Sequence, residues 1–490
     1  MFNELQKADE YIRKKASSVD STYRHHYHLM APIGWINDPN GFVFFKGEYH
    51  LFYQYNPYDS AWGPMYWGHA KSKDLVHWEH LPVALAPSEK YDIDGCFSGS
   101  AIEKDGKLYL IYTGHVENEN FKREVQCLAV SEDGIHFEKY AGNPIIDERQ
   151  IEGVAAIDDF RDPKVFKRND SYFTVVASKT PDERGEILLF KSDDLLEWSF
   201  VSILLRGDKN QGIMWECPDL FHLDGKDVLI MSPIKMTPKG VSYHNTNSTV
   251  AFIGTMNWET GKLEVENYHE IDSGLDFYAP QTCEAAQGRR IMVAWMQMWN
   301  RTIPTHDMGH GWSGAMTLPR VLRVKGNRLT QAPIDSIYEN IIQELELNQI
   351  EIFETPFVKQ KLISDTAYIK MIFDIEDAQS FKIDYAKSAN QSLMIVFDKE
   401  TQLLTVSREN FGKKIVGIEP EQLVSRQLKV ASPSKQLTLE IFRDTSSLEI
   451  FVNNSQTLSF TFYEEVSGSD LLISSKGQLR LTQLIAGKIK

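Results

Sequence analysis

Three acidic residues in separate stretches of the chain have the side chains that cleavage of a glycosidic bond requires. Asp38 lies in "WINDPNG", Asp162 in "FRDP" and Glu216 in "WECPD". Two carboxyl groups cleave such a bond when one attacks the anomeric carbon and the other donates a proton to the leaving oxygen. Nearby negative charge helps the donor keep its proton, and Asp38 and Asp162 would supply that charge next to Glu216.

Aromatic residues accompany these acids in the sequence, and aromatic rings pack well on the apolar faces of sugars. For any single one, packing in the core is the competing explanation. The residues in or near the acidic stretches are Trp35, Trp62, Trp67, Phe97, Tyr278, Trp295 and Trp312.

Each acid belongs to one of five similar segments that recur about every 60 residues. Every segment has a short polar or aromatic head, a strand, a turn and a more hydrophobic strand. The heads lie at positions 38, 97, 162, 217 and 279, and Pro follows four of them. The turns contain residues typical of tight hairpins. These are Gly47, Asp105-Gly106, Asn169-Asp170, Asp224-Gly225 and Gln287-Gly288.

Five strand-rich units predict an all-β fold, a five-bladed β-propeller over residues 24–333. If each head begins the innermost strand of its blade, all five heads converge at one mouth of the central channel. Carboxyl groups more than 100 residues apart in sequence would then share a pocket.

The remaining segments predict three further regions. Residues 1–23 carry Phe2, Leu5, Ala8, Tyr11 and Ile12 at helical spacing, which indicates a short amphipathic helix. Residues 334–350 are acidic and helical in pattern, and we expect a linker there. Residues 351–490 alternate apolar and polar residues, which is typical of a β-sandwich.

The bulk composition limits the function further. A formal charge of −16 over 490 residues argues against nucleic acid or an anionic membrane surface as a partner. The four cysteines form no Cys-x-x-Cys motif, which favours a reducing compartment. There is neither an apolar signal segment nor a run long enough to span a membrane, so we expect a cytoplasmic protein.

The three acidic motifs, together with "FSGS" at Phe97, "DFYAPQ" at Asp276 and "SLEIFVN" at Ser447, resemble glycoside hydrolase family 32. This is the family of invertases, fructanases and sucrose-6-phosphate hydrolases. The resemblance covers nearly the whole chain, with Ile36 as a conservative departure from the Met of many relatives. It implies a retaining β-fructofuranosidase without a cofactor or metal, acting on sucrose 6-phosphate or sucrose.

The resemblance also implies a role for each matched residue. Asp38 would be the nucleophile, Glu216 the acid and base, and Asp162 a stabiliser of the transition state. The residues that would line the fructose pocket are Trp35, Asn37, Gln54, Trp62, Phe97, Ser98, Arg161, Tyr278 and Trp295. A phosphate on the substrate would need a basic group at the rim. Candidates from sequence are Arg24, His25, Lys71 and Arg301.

The sequence is also compatible with several other functions. An exo-hydrolase of short fructo-oligosaccharides or a fructosyltransferase would keep all three acids. A non-catalytic sugar-binding propeller would need neither a nucleophile nor a proton donor. The "HHYH" stretch offers a metal site at His25, His26 and His28, but no third ligand is evident beside the pair His26 and His28 on one strand face.

Overall fold

Five antiparallel sheets follow one another along the chain, and each is built from consecutive strands. The computed structural model describes residues 3–419, 423–431 and 435–490, so Phe2 lies outside the described residues. From the channel outwards, the strands are Gly34–Phe45, Glu48–Asn56, Tyr66–Ser72 and Glu79–Leu85 in blade 1; Gly95–Lys104, Lys107–Asn118, Phe121–Ser131 and Glu138–Lys139 in blade 2; Arg161–Arg168, Ser171–Lys179, Gly185–Ser192 and Ser199–Arg206 in blade 3; Met214–Leu223, Lys226–Ile234, Val250–Asn257 and Lys262–Glu270 in blade 4; and Tyr278–Glu284, Arg290–Trp295, Arg320–Lys325 and Arg328–Pro333 in blade 5.

The first strands of successive blades contact one another, and the first strand of blade 1 contacts that of blade 5. The ring is therefore closed around a channel lined by these inner strands. A short strand, Trp312–Ser313, pairs in parallel with Gly34 and Trp35 and adds a fifth strand to blade 1. The prediction of a five-bladed propeller is confirmed.

The predicted hairpin turns adopt the left-handed backbone that their residues favour. Asp105 and Gly106 have φ of 52° and 77°, and Asp224 and Gly225 have φ of 50° and 80°. Gly and Asp tolerate positive φ better than most residues, and two such residues in a row match the twist of the flanking strands. The turn chemistry therefore sets the register of each blade.

Two six-stranded sheets form the C-terminal sandwich, which confirms that prediction. In sheet order, the strands are Ile341–Ile352, Leu479–Ile489, Ala367–Asp374, Gln436–Asp444, Ser447–Val452 and Gln456–Thr461 in one sheet, and Phe357–Lys359, Asp470–Gly477, Ala378–Lys387, Leu393–Asp398, Leu403–Ser407 and Ser425–Lys429 in the other. Fully buried Leu, Ile and Phe side chains from both sheets pack into one core.

The helical interpretation of residues 334–350 is wrong over most of its length. Only Asp335–Tyr338 is helical, and Ile341–Ile352 is a strand paired with Leu479–Ile489. Glu and Gln favour helices, but Leu345 and Leu347 point to one face at strand spacing and pack on the sandwich core. The strand that pairs with this segment, Leu479–Ile489, lies far downstream in the sequence, and the pairing makes the segment a strand. We therefore propose that the sandwich begins at Ile341, not at residue 351.

The N-terminal helix is confirmed as Glu4–Lys15, continued by the 3₁₀ turn Ala16–Ser18. Ala8 is buried against the propeller, with Leu5 and Ile12 packed beside it. The other short helices are Glu148–Ile151, Ile157–Asp159, Ala286–Gly288 and Pro304–Asp307. Among the described residues, none of the helices has the length and apolar character needed to cross a membrane.

Candidate active site

A β-bulge interrupts the inner strand of every blade at its predicted head. The register shifts fall between Ile36 and Pro39, Phe97 and Gly99, Arg161 and Lys164, Glu216 and Asp219, and Tyr278 and Gln281. A bulge breaks the in-and-out alternation of side chains and re-aims the residues within it. The heads can therefore direct polar side chains into the channel mouth without displacing the hydrophobic strand that follows.

Three of these bulges contain a residue other than glycine in the left-handed region. Asp162 has φ of 64°, Cys217 of 48° and Ala279 of 50°, and each precedes a proline. This conformation costs roughly 1–2 kcal/mol for an L-residue with a side chain. The rest of each blade must therefore hold the head in place, as is common where a site requires a particular side-chain direction.

Asp38 is partly buried and accepts hydrogen bonds on both carboxyl oxygens. Ser98 Oγ donates to Oδ2 at 2.8 Å, and Asn37 Nδ2 donates to Oδ1 at 3.1 Å. Trp35 Nε1 in turn donates to Asn37 Oδ1 at 2.7 Å, which fixes the amide. Three predicted pocket residues, Trp35, Asn37 and Ser98, thus hold the carboxylate of Asp38 directly or through one another.

Glu216 is held by a guanidinium and a phenol. Arg161 Nη2 donates to Glu216 Oε1 at 2.9 Å, and Tyr278 Oη donates to Oε2 at 2.5 Å. Arg161 also contacts Glu124 and Asp159 at 3.1 Å. Side chains of blades 3 and 5 therefore position this carboxyl group, which blade 4 supplies.

Cys217 connects the three acids, and the sequence interpretation gave it no role. Its backbone N–H donates to Asp162 Oδ2 at 2.9 Å. Its thiol lies 3.4 Å from Asp38 Oδ2 and 3.5 Å from Asp162 Oδ2, and its neighbour in the chain is Glu216. Its position directly after Glu216 in a repeated head was the one signal that could have identified it.

Burial and neighbouring negative charge raise the pKa of Asp38 and of Asp162. Burial and the charge of Glu216 raise the pKa of Asp38. For Asp162, burial raises the pKa to about 7, with Arg161 opposing the shift and the charges of Glu216 and Asp38 adding to it. From the sequence, we expected the clustered negative charge to act on Glu216. In the structure, the charge of Glu216 contributes to the raised pKa of both aspartates.

Aromatic rings form one wall of the mouth. Trp35 packs on Trp295 and Trp299 with ring centroids 5.6 and 5.9 Å apart. Trp62 is 51% exposed and meets the edge of Phe97 at 6.3 Å. Trp295 is fully buried, so it supports the wall behind Trp35 and does not face the channel.

Gln54 lies deeper than its predicted role in the pocket suggests. Its side chain is buried and donates to the carbonyl of Cys96 at 2.9 Å, next to the head of blade 2. This bond ties the second strand of blade 1 to the inner strand of blade 2. Gln54 therefore positions Phe97 and Ser98 from behind.

A cavity of about 210 Å³ adjoins the aromatic wall. Trp35, Trp62 and Trp299 line it, together with the loop that contains Arg301 and Ile303. It lies beside the Asp38 head, because Trp35 belongs to both. A substrate bound at the acids could extend into this space.

The four basic residues suggested for phosphate binding are engaged elsewhere. Arg301 lines the cavity but is 1% exposed at its side chain and paired with Asp276 and Glu419. Lys71 pairs with Glu48 on the second and third strands of blade 1. Arg24 and His25 are also engaged: Arg24 donates to the carbonyl of Ala31, and the His25 ring contacts the hydroxyl of Ser446.

The "HHYH" stretch lies at the contact between propeller and sandwich. Asp444 of the sandwich supplies the third group that the sequence did not reveal, within 4.8 Å of His25 and His28 atoms. Its oxygens already accept from the backbone N–H groups of His26 and Tyr27 and from the His28 ring. We interpret the cluster as a junction between the two domains.

The fold and the clustered carboxyl groups together define a propeller-type glycoside hydrolase. Residues 28–333 match the family model described as the Glycosyl hydrolases family 32 N-terminal domain, and residues 337–485 match that of the Glycosyl hydrolases family 32 C terminal. The chain belongs to glycosyl hydrolase family 32, as its motifs predicted.

Individual relatives agree with this assignment over almost the whole chain. A sucrose-6-phosphate hydrolase of Zymomonas mobilis subsp. mobilis is 39% identical, with 93% of this chain and 89% of that protein covered. The structure of a Bombyx mori GH32 beta-fructofuranosidase aligns with a TM-score of 0.85 at 34% identity, covering 99% and 98% of the two chains. A sucrose-6-phosphate hydrolase from Lactobacillus gasseri gives a TM-score of 0.87 at 28% identity, covering 98% and 96%.

Proposed function

We propose that this protein is a retaining β-fructofuranosidase that hydrolyses the fructosyl bond of sucrose 6-phosphate, sucrose or both. The observation that carries the proposal is the meeting of Asp38, Asp162 and Glu216 around Cys217 at one channel mouth. Family membership and the names of the relatives described above support it.

In the proposed mechanism, Asp38 attacks the anomeric carbon of the fructosyl unit while Glu216 donates a proton to the departing oxygen. An ester between Asp38 and the fructosyl unit forms, and the glucose portion leaves. Glu216, now a carboxylate, then takes a proton from water, and that water cleaves the ester. Ser98 and Asn37 orient Asp38 for attack through their hydrogen bonds.

Asp162 and Arg161 have supporting roles in this proposal. Asp162 binds hydroxyls of the fructosyl unit, and its charge stabilises the positive character that develops at the ring in the transition state. Arg161 orients the Glu216 carboxyl.

Stereochemistry tests the mechanism. We expect the carboxyl groups of Asp38 and Glu216 to be roughly 5–5.5 Å apart in a substrate complex, the separation of retaining enzymes. NMR during the first turnovers should therefore detect β-fructofuranose before mutarotation. Release of the α anomer would point to inversion and contradict the role of Asp38 as nucleophile.

The substrate proposal follows from the relatives, several of which are named sucrose-6-phosphate hydrolases. A phosphate on the glucose unit needs a cation at the rim, where a charge-assisted contact contributes about 1.5–3 kcal/mol. Lys235 is exposed and follows Ile234, which pairs with Met214 two residues before Glu216. We propose Lys235 as that cation in place of Arg301.

The test compares kcat/KM for sucrose, sucrose 6-phosphate and 1-kestose. A phosphate contact should favour sucrose 6-phosphate roughly tenfold or more, and Lys235→Ala should remove much of that preference. Equal values for sucrose and its phosphate would contradict the phosphate assignment and leave the enzyme class intact. A preference for 1-kestose would favour the exo-hydrolase alternative, and transfer products would indicate a fructosyltransferase.

We also propose a cytoplasmic location. All four cysteines are free thiols, three of them buried, which suits a reducing compartment. Expression of a tagged chain followed by fractionation tests this, and recovery from a secreted fraction would contradict it.

A further inference from the structure

A second cavity, of about 790 Å³, opens at the end of the channel opposite the acids. The inner strand of every blade contributes to it, through residues that follow the bulged head. These include Phe42, Ala101, Lys164, Asp219 and Thr282. Because the inner strands all leave the acid mouth in the same direction, residues later in each strand lie further along the channel. The volume falls within the usual range for small-molecule pockets.

A buried polar layer separates this cavity from the acids. Gln281 Nε2 donates to the carbonyl of Gly99 at 2.9 Å, and its Oε1 accepts from the backbone of Phe42 at 2.8 Å. Ser100 Oγ donates to the carbonyl of Pro163 at 2.7 Å. These bonds join blade 1 to blade 5, blade 2 to blade 3 and, across the channel, blade 2 to blade 5. A molecule in the far cavity is therefore outside the reach of the acid cluster.

The floor of the far cavity carries an unpaired carboxylate oxygen. Asp219 is 1% exposed, and its Oδ2 accepts from the Thr282 backbone at 2.7 Å and from the Thr282 hydroxyl at 2.9 Å. Its Oδ1 is buried and has no hydrogen-bond partner among the described residues. Leaving a buried acceptor unpaired costs about 1–3 kcal/mol, more for a charged group. A ligand that donates a hydrogen bond here would recover that energy.

Lys164 places a donor next to this acceptor. Its ammonium is buried, lies 3.3 Å from Asp219 Oδ2 and donates to the carbonyl of Thr282 at 2.6 Å. An ammonium has three protons to donate, and these contacts use two of them. The floor thus offers one acceptor and one donor side by side, an arrangement that matches two neighbouring hydroxyl groups.

Aromatic rings held by guanidinium groups form the walls. Arg168 lies over the ring of Trp258 at 4.1 Å, and Arg290 over the ring of Phe221 at 4.8 Å. Trp258 also packs against Phe166. The face of Trp258 opposite Arg168 would accept the C–H face of a sugar ring, while the hydroxyls around the sugar's edge reach the polar floor.

We propose that the far cavity is a second binding site for a small neutral saccharide. One hydroxyl donates to Asp219 Oδ1, a neighbouring hydroxyl accepts from Lys164, and the ring packs on Trp258. A neutral hydroxyl can donate to the unpaired carboxylate oxygen, and for this reason the proposal is a neutral sugar and not free phosphate. This site is independent of the fructosyl bond chemistry at the other mouth.

The test is calorimetric titration of the full chain with sucrose in an Asp38→Asn background, where the sugar is not consumed. Two sites are expected, one at each mouth. Adding Trp258→Ala should remove one of them, and adding Trp78→Ala, which changes another half-buried tryptophan, should remove neither. A single site that survives Trp258→Ala would overturn the proposal. A single site lost in Trp258→Ala would support the far site while contradicting sucrose binding at the acids.

Two further measurements test the polar floor of the far site and its independence from the acids. Asp219→Asn replaces the acceptor by a donor at similar volume, so the affinity of the far site should fall about tenfold or more. Trp258→Ala in the otherwise unchanged enzyme should leave kcat/KM for sucrose within about twofold, because it touches nothing at the acids. Inorganic phosphate should give no heat at this site, and phosphate binding that depends on Trp258 would contradict the neutral-saccharide assignment.

Discussion

At the scale of single residues, the acid cluster combines catalytic potential with an energetic cost. Asp162 is buried among Asp38, Glu216 and Cys217, and Arg161 compensates only part of the unfavourable environment. An ionised carboxylate there is less stable than in the unfolded chain. The unfolded group releases its proton near pH 3.8, and the folded one near pH 7. The free energy of unfolding therefore decreases as the pH rises between these values.

Asp162→Asn should stabilise the fold above pH 7 while it abolishes most of the activity. The amide keeps the shape and an acceptor for the Cys217 N–H but carries no charge, so we expect a gain of about 1–3 kcal/mol. Chemical denaturation at pH 8 measures it. The gain should vanish near pH 4, where the native Asp162 is also neutral; an equal gain at both values would disprove the electrostatic explanation.

Glu216→Gln should separate the two halves of the proposed reaction. Without a proton donor, sucrose hydrolysis should fall by about 10²–10⁴-fold, the usual contribution of acid–base catalysis. A fructoside with a good leaving group needs little proton donation, so its ester-forming step should fall much less. Pre-steady-state release of the leaving group measures that step. An equal loss for both substrates would contradict the acid assignment.

At the scale of elements, the sandwich supports a wall of the propeller's mouth. Arg301 Nη2 donates to Glu419 Oε1 at 2.8 Å. The backbone N–H of the next residue, Thr302, donates to the Val416 carbonyl at 2.7 Å, and the Thr302 hydroxyl accepts from the Val416 N–H at 2.9 Å. The Arg301 loop lines the cavity beside Trp35. The geometry of that wall therefore depends on a segment of the other domain.

Glu419→Gln should raise KM for sucrose roughly threefold to tenfold with little change in kcat. The substitution weakens a buried charge-assisted contact without changing volume, so the loop loses order away from the reacting atoms. Steady-state kinetics measures KM and kcat separately. Glu351→Gln, which weakens the surface pair with Arg480, is the matched control. A fall in kcat with KM unchanged would place the effect on catalysis and contradict a positioning role.

At the scale of the whole molecule, a buried charge network joins the two domains. His28 of the propeller contacts Asp444 and Glu449 of the sandwich, each at 2.9 Å. Arg320 lies between Glu449 and Asp272, and both of its pairs are buried. Burial alone would lower the pKa of His28, but its hydrogen bonds to the two carboxylates outweigh burial and raise it to about 9.

The stability of the protein should therefore decrease in mildly alkaline solution. The contribution of His28 is complete below about pH 6.5, where the unfolded histidine is also protonated, and it is lost as the pH rises through about 9. Calorimetry from pH 6 to 10 should show a falling Tm, with a shallower fall for His28→Gln. His136→Gln, at an exposed histidine paired with Asp133, is the control. Equal slopes in all three proteins would contradict this assignment.

The sequence by itself determined the features that depend on local chemistry. The heads and their hairpin turns repeat five times, with proline after four of the heads, and this repetition implied the propeller and the meeting of Asp38, Asp162 and Glu216. Each such signal lies in a few neighbouring residues, whose backbone preferences do not depend on the rest of the fold. The alternation that marks the sandwich is local in the same sense.

Only the tertiary structure decided the properties that depend on distant partners. Ile341–Ile352 is a strand because Leu479–Ile489 pairs with it, and Arg301 is unavailable to a phosphate because Glu419 neutralises it. The pKa of Asp162 likewise depends on burial and on charges from other blades. Pairing, burial and electrostatic shifts arise between groups that folding brings together, and no stretch of sequence contains both partners.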